Sequence, residues 1–111
     1  MSVRWLLAFL LVASAQAGPT SAPRALTLQA PDGVSISALA YETRQPTGII
    51  LLFHQADSSK AEYATIAPRL AAAGFTALAI DQRSGGSLYG RNETAARLAK
   101  PSTYEDAKAD L

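Results

Sequence analysis

The sequence predicts an α/β fold in which an antiparallel hairpin is followed by two parallel strands joined by a helix. Three observations carry this reading. Gly48 to His54 (GIILLFH) and Phe75 to Ile80 (FTALAI) are short, unbroken apolar runs bounded by turn formers and polar residues. Runs apolar on both faces belong to parallel sheets that are covered on both sides. Between them, Tyr63, Ile66, Ala67 and Leu70 repeat at i, i+3, i+4 and i+7, the stripe of a helix laid on a sheet. Upstream, two alternating runs flank Pro31-Asp32-Gly33, a turn in which proline fixes φ and glycine accepts a positive φ. A strand, helix and parallel strand make a right-handed crossover. Working groups in such a sheet lie beyond the carboxyl ends of the strands, here His54 to Lys60 and Asp81 to Tyr89.

Taken in order, residues 1–17 read as a signal peptide. Met1 to Arg4 is a short positive segment, Trp5 to Ala13 is apolar, and Ala15-Gln16-Ala17 supplies the small residues of a cleavage site. The apolar stretch is about half the ~20 residues a membrane span requires, so export is expected and a stable membrane anchor is not. Residues 18–24 (GPTSAPR) are expected to be a flexible tether, and residues 25–111 a single partial domain. Leu26, Leu28 and Ala30 alternate with polar residues in the first hairpin strand, and Val34, Ile36, Ala38 and Ala40 are in phase in the second.

Ser59-Lys60-Ala61-Glu62 fits a capping box and Gly74 suits a helix C′ position, so the helix is expected between them. Pro68 inside it predicts a kink or a restart. Arg91 to Lys100 is expected to hold a short helix capped by Asn92, and Ser102 to Glu105 is a second capping-box candidate. Asn92-Glu93-Thr94 matches a glycosylation sequon, a tripeptide common by chance. Tyr104, Ala107 and Leu111 begin a helical stripe that runs to the last residue, which suggests a fragment.

Composition narrows the function. The 111 residues carry a net charge of +1 with no clustering of Lys and Arg, which argues against a nucleic-acid or polybasic membrane surface. The chain has no cysteine, which removes disulfides, thiol catalysis and cysteine-ligated metal. His54 is its one histidine, and with Asp57 and Asp81 it makes a poor metal set; those acids are read as solvated or loop-bracing. No G-x-G-x-x-G or Walker pattern is present, so neither a nucleotide site nor any other cofactor is expected; Gly85-Gly86 could still approach a phosphate by its backbone. Ser84 and Ser87 each lack one of the two glycines of a nucleophile elbow, and Ser58 and Ser59 read as helix caps. Asp81 and Arg83 are close enough in sequence to predict a loop-fixing ion pair.

At Leu52-Phe-His54-Gln-Ala-Asp57, Ile66-Ala-Pro-Arg-Leu-Ala-Ala-Ala-Gly-Phe75 and Asp81-Gln-Arg83-Ser-Gly85-Gly86, the chain resembles the N-terminal part of an α/β-hydrolase. The dienelactone-hydrolase-like and acyl-peptidase-like branch is the nearest. The resemblance covers about residues 25–111. It departs in reading His-Gln for the usual His-Gly, and in carrying Ser84 where a glycine is usual. It implies half of a hydrolase sheet whose nucleophile, acid and histidine would follow the present sequence, so no catalytic residue is expected within it. It also implies an oxyanion loop in which the backbone N–H of Gln55 or Ala56 points at a reacting carbonyl, while His54, Asp81 and Arg83 support the loop. The substrate of the full-length protein would be a small acyl compound, and the protein would be periplasmic or secreted. The last strand, Phe75 to Ile80, would lack the neighbour that bears a hydrolase nucleophile, so poor solubility is expected. A complete small exported α/β binding module, with the two loops forming a ligand surface, is the alternative from a different functional class.

Overall fold

A computed structural model describes residues 22–111, so the expected signal peptide and the first residues of the tether lie outside the described residues. Four strands form one mixed α/β sheet: β1 (Arg24–Gln29), β2 (Ser35–Tyr41), β3 (Gly48–Phe53) and β4 (Phe75–Ile80). Their spatial order is β1-β2-β4-β3. β1 and β2 are an antiparallel hairpin whose register runs from Arg24↔Ala40 to Gln29↔Ser35. Gly33, at φ +85°, takes the positive-φ position of the intervening turn. β1 starts one residue inside the expected tether, because Arg24 pairs with the β2 end through its guanidinium and Glu42.

β3 and β4 run parallel, level from Gly48↔Phe75 to Phe53↔Ile80. His54 and Asp81 therefore leave the sheet side by side. β4 also pairs with β2, antiparallel, from Ala38↔Ile80 to Tyr41↔Ala77. This corrects one expectation. Among the described residues, the last strand lies inside the sheet and the open edge belongs to β3, because the crossover carries β4 into the space between β2 and β3.

The helical segment is split. A 3₁₀ turn at Lys60–Tyr63 follows the Ser59 cap, and α1 (Ala67–Ala72) restarts with Pro68 in its first turn. Proline is tolerated there because the first N–H groups of a helix have no intrahelical acceptor. Gly74, at φ +97°, ends the helix as expected. α1 packs Ala67 and Ala71 onto Tyr41, Leu52, Ala77 and Ala79, with Leu70 and Tyr63 at the margin. Alanines on both sides let the helix lie close to the sheet.

The second face gathers Ala30, Ile36, Ala38 and Ile80. Here the strands are not covered throughout: Ile49, Leu51 and Phe53 are 69, 54 and 38% exposed. α2 (Glu93–Arg97) begins after Asn92, whose Oδ1 accepts the Ala95 N–H at 2.8 Å. The second capping box is displaced by one residue. Thr103 and Asp106 exchange bonds of 2.9 and 3.2 Å ahead of a 3₁₀ turn at Asp106–Asp110. Among the described residues, no helix is long and apolar enough to cross a membrane.

Candidate functional site

The level ends of β3 and β4 place His54, Gln55, Ala56, Gln82 and Ser84 around one cavity of about 180 Å³, which Tyr104 also lines. His54 is the tie between the two exits. The backbone N–H of Gln82 donates to its Nε2 at 2.9 Å, and the Asn92 amide nitrogen lies 3.4 Å from the same atom. A peptide N–H can only donate, so Nε2 carries a lone pair and the ring proton sits on Nδ1. That proton is donated to the Gln55 carbonyl oxygen at 2.8 Å. Both nitrogens are engaged and the ring is buried. That leaves the ring no free lone pair to take a proton from a nucleophile.

The two expected oxyanion donors differ. The Gln55 N–H donates to Glu62 Oε2 at 3.0 Å. The N–H of Ala56 has no hydrogen-bond acceptor among the described residues. Glu62 thus leaves the capping box that its spacing predicts. Ser59 caps by accepting the Ala61 N–H at 3.2 Å, but the return bond to the Ser59 N–H is replaced by one to the loop.

Asp81 and Arg83 do not pair with each other, contrary to the expected ion pair. Asp81 is fully buried and receives the Lys60 N–H at 2.7 Å, the Lys60 ammonium at 2.6 Å and the Glu93 N–H at 2.8 Å. It thereby holds the starts of the 3₁₀ turn and of α2 together. Lys60 also reaches Glu93 at 3.2 Å, and the Ser37 hydroxyl donates to Glu93 at 2.7 Å. The Ser37 bond, then Lys60, hold the Glu93 carboxyl below its ordinary range.

Arg83 turns to other partners. Its guanidinium grips Asp32 of the hairpin turn in a two-pronged pair, and its Nε and backbone N–H each reach Asp110 at 2.7 Å. The guanidinium and Asp110 are nearly or fully buried. Hydrogen bonding from Arg83 lowers the Asp32 pKa to about 2. The carboxylates in turn push the Arg83 pKa upward.

Gly85 and Gly86 let this second loop lie flat on the first. A Cβ at Gly85 would come within 2.2 Å of Asn92 Nδ2 and 2.3 Å of the Ser58 carbonyl oxygen. Their close backbone approach is thus to Asp57 and Ser58. Asp57 adopts φ +58° and accepts the Leu88 N–H, while Ser58 accepts the Gly86 N–H at 2.9 Å. Ser59 caps as expected, but the Ser58 hydroxyl is buried without a partner among the described residues and caps nothing there. Ser84 lines the cavity with no base beside it, since His54 is committed elsewhere. Asn92 is 3% exposed, and its amide nitrogen donates to the Gln82 oxygen at 2.8 Å and the Ser58 oxygen at 3.2 Å. The sequon is closed to a glycan in this fold.

Sequence reasoning missed Lys60, Glu62 and Asp110 as site-building residues. Their partners lie 21, 7 and 27 residues away along the chain. The capping-box spacing marked Lys60 and Glu62 as a helix start and carried no sign of these contacts. Among the described residues, no three His, Asp or Glu side chains converge as a metal site would require.

No protein-family profile matches the chain, and no curated protein matches it. Among solved structures, a highly thermostable carboxyl esterase from Bacillus coagulans, determined in complex with glycerol, is similar at 28% identity over 57% of this chain, with a TM-score of 0.49. The match spans 21% of that esterase.

Proposed function

We propose that this chain is the exported N-terminal portion of a serine α/β-hydrolase acting on an ester or related acyl substrate. In this reading it contributes the oxyanion loop and no catalytic triad. The observation that carries the reading is the pair of level, parallel strand ends that brings His54, Gln55, Ala56, Gln82 and Ser84 round one cavity, with the Ala56 N–H unengaged among the described residues. Acyl transfer builds negative charge on the former carbonyl oxygen, and a fixed backbone N–H is the donor that stabilises it. The motif order that resembles an α/β-hydrolase supports the same assignment, and residues 1–17 supply the export signal. The partner is then a small acyl compound bound by the full-length protein, without cofactor, nucleic acid or stable membrane anchor.

A base is missing from what the chain offers, because its one histidine spends both ring nitrogens on the backbone. The 111-residue chain by itself is accordingly expected to turn over no ester. Turnover of a chromogenic ester that disappears in Ser84→Ala or Ser87→Ala would overturn this. Translating the DNA beyond the Leu111 codon in all frames tests the larger reading. A G-x-S-x-G about twenty to forty residues on, followed by Asp and then His, is the expected result. Its absence from every frame would remove the hydrolase.

A further inference from the structure

Glu62 stands three residues after the Ser59 cap, where a capping-box carboxylate returns to the cap's own N–H. Its Oε2 instead accepts the N–H of Gln55, in the loop that follows β3, at 3.0 Å. The turn that carries Glu62 is fixed on both sides. Lys60 is bound to Asp81 through its backbone N–H and its ammonium, and the Tyr63 hydroxyl donates to the Phe53 carbonyl oxygen. Among the described residues, no cation lies within ion-pair distance of Glu62. The loop amide is thus the donor that its carboxylate has found. Ala56, the next residue, lines the 180 Å³ cavity and keeps an N–H without an acceptor among the described residues.

We infer that Glu62 is the positioning residue of this loop: its carboxylate holds the Gln55 amide as a built-in anion and leaves Ala56 as the N–H free for an oxyanion or carboxylate. Of the two donors that the sequence nominates, one is then structural and the other functional. A charged acceptor makes the Gln55 bond stronger than a neutral one would. The chemical meaning rests on the hydrolase reading, whereas the contact and its test do not.

Hydrogen exchange read residue by residue on the full 111-residue chain tests the inference, with Ala77 and Ala79 in β4 reporting global opening. In the unsubstituted chain, Gln55 is expected to exchange about tenfold or more slowly than Ala56, each against its intrinsic rate. E62Q keeps an acceptor oxygen and should retain most of that protection. E62A, and E62D with a carboxylate one methylene short, should lose it while Ala77 and Ala79 stay protected. Equal exchange at Gln55 and Ala56 would overturn the inference, as would slowing at Gln55 that survives both E62A and E62D. Loss of protection at Ala77 in E62A leaves E62D to decide. The same loss in both would make Glu62 a support of the whole fold and would also overturn the inference. None of these results depends on ester turnover, so the hydrolase reading stands or falls separately.

Discussion

Leu51 lies directly opposite Leu78 across the β3–β4 ladder, on the same face of the sheet, yet it is more than half exposed. Leu78 is packed from its other side by β2, whereas β3 is the last strand in the order and, among the described residues, has no neighbour beyond it. Ile49 and Phe53 extend the same uncovered apolar row. The strand has neither a charge nor a proline, the usual protections of an open edge. The unsubstituted chain is therefore expected to associate in light scattering, and Leu51→Lys to return it to a monomer at matched concentration. Because Leu51 already faces solvent, the substitution should change stability little. A monomeric unsubstituted chain with a cooperative thermal transition would refute the open-edge argument, and Leu51→Lys is otherwise the background for the measurements below.

His54→Ala is expected to cost about 1–3 kcal/mol, because it leaves the Gln82 N–H without its acceptor and unties the β3 and β4 exits. His54→Gln can place an oxygen near the former Nε2 and should recover part of that loss. Urea midpoints of the two variants make the comparison. Equal loss in both would mean that the ring's packing, and not its acceptor, holds the loops.

Much of this arrangement is legible in sequence, and the exceptions share a cause. The β3–β4 pair, the restart at Pro68, the Gly74 stop and the Asn92 cap are all written in spacings of a few residues. Local rules read such spacings directly. Charge pairing is different. Asp81 and Arg83 are two residues apart and invite a pair, but Asp81 is buried where Lys60 and two helix-start N–H groups meet. Arg83 is taken by Asp32 and Asp110, 51 and 27 residues distant. Burial makes an unpaired charge costly, so tertiary proximity outranks nearness in sequence. Glu62 diverges for a related reason: its capping-box spacing is genuine, but a loop amide without another acceptor lies within its reach.

Gly85 and Gly33 separate two reasons for glycine. A Cβ at Gly85 would sit at 2.2–2.6 Å from Asn92, Ser58 and His54 at φ values open to any residue. Gly85→Ala is expected to destabilise by about 3 kcal/mol or more, because three buried groups must move at once. Gly33 has φ +85° and nothing within 4 Å of a Cβ, so Gly33→Ala should cost only the backbone strain, about 1–2 kcal/mol. Denaturation midpoints check the order. A Gly85→Ala chain as stable as Gly33→Ala would mean that the two loops do not meet as closely as 2.2 Å.

Acid should loosen the hairpin turn from the rest of the fold. The Arg83 hydrogen bonds hold Asp32 at a pKa of about 2 against an ordinary 3.8, and the Ser37 and Lys60 bonds hold Glu93 below its ordinary 4.5. Both carboxyls are depressed in the folded chain, so the unfolded chain binds the more protons as pH falls from about 4.5 to about 2. Their contribution is then complete above that window and is lost through it. The thermal midpoint is expected to be flat from pH 7 to 5 and to fall below pH 4. Asp32→Asn should lower the midpoint at pH 7 and flatten the descent between pH 4 and pH 2, since the variant has no proton to take up at that site. High salt should shrink the difference, because the Asp32 side chain is 46% exposed and its pairing is partly screened. An Asp32→Asn descent parallel to that of the parent chain would show that the Arg83 grip does not set the acid limit.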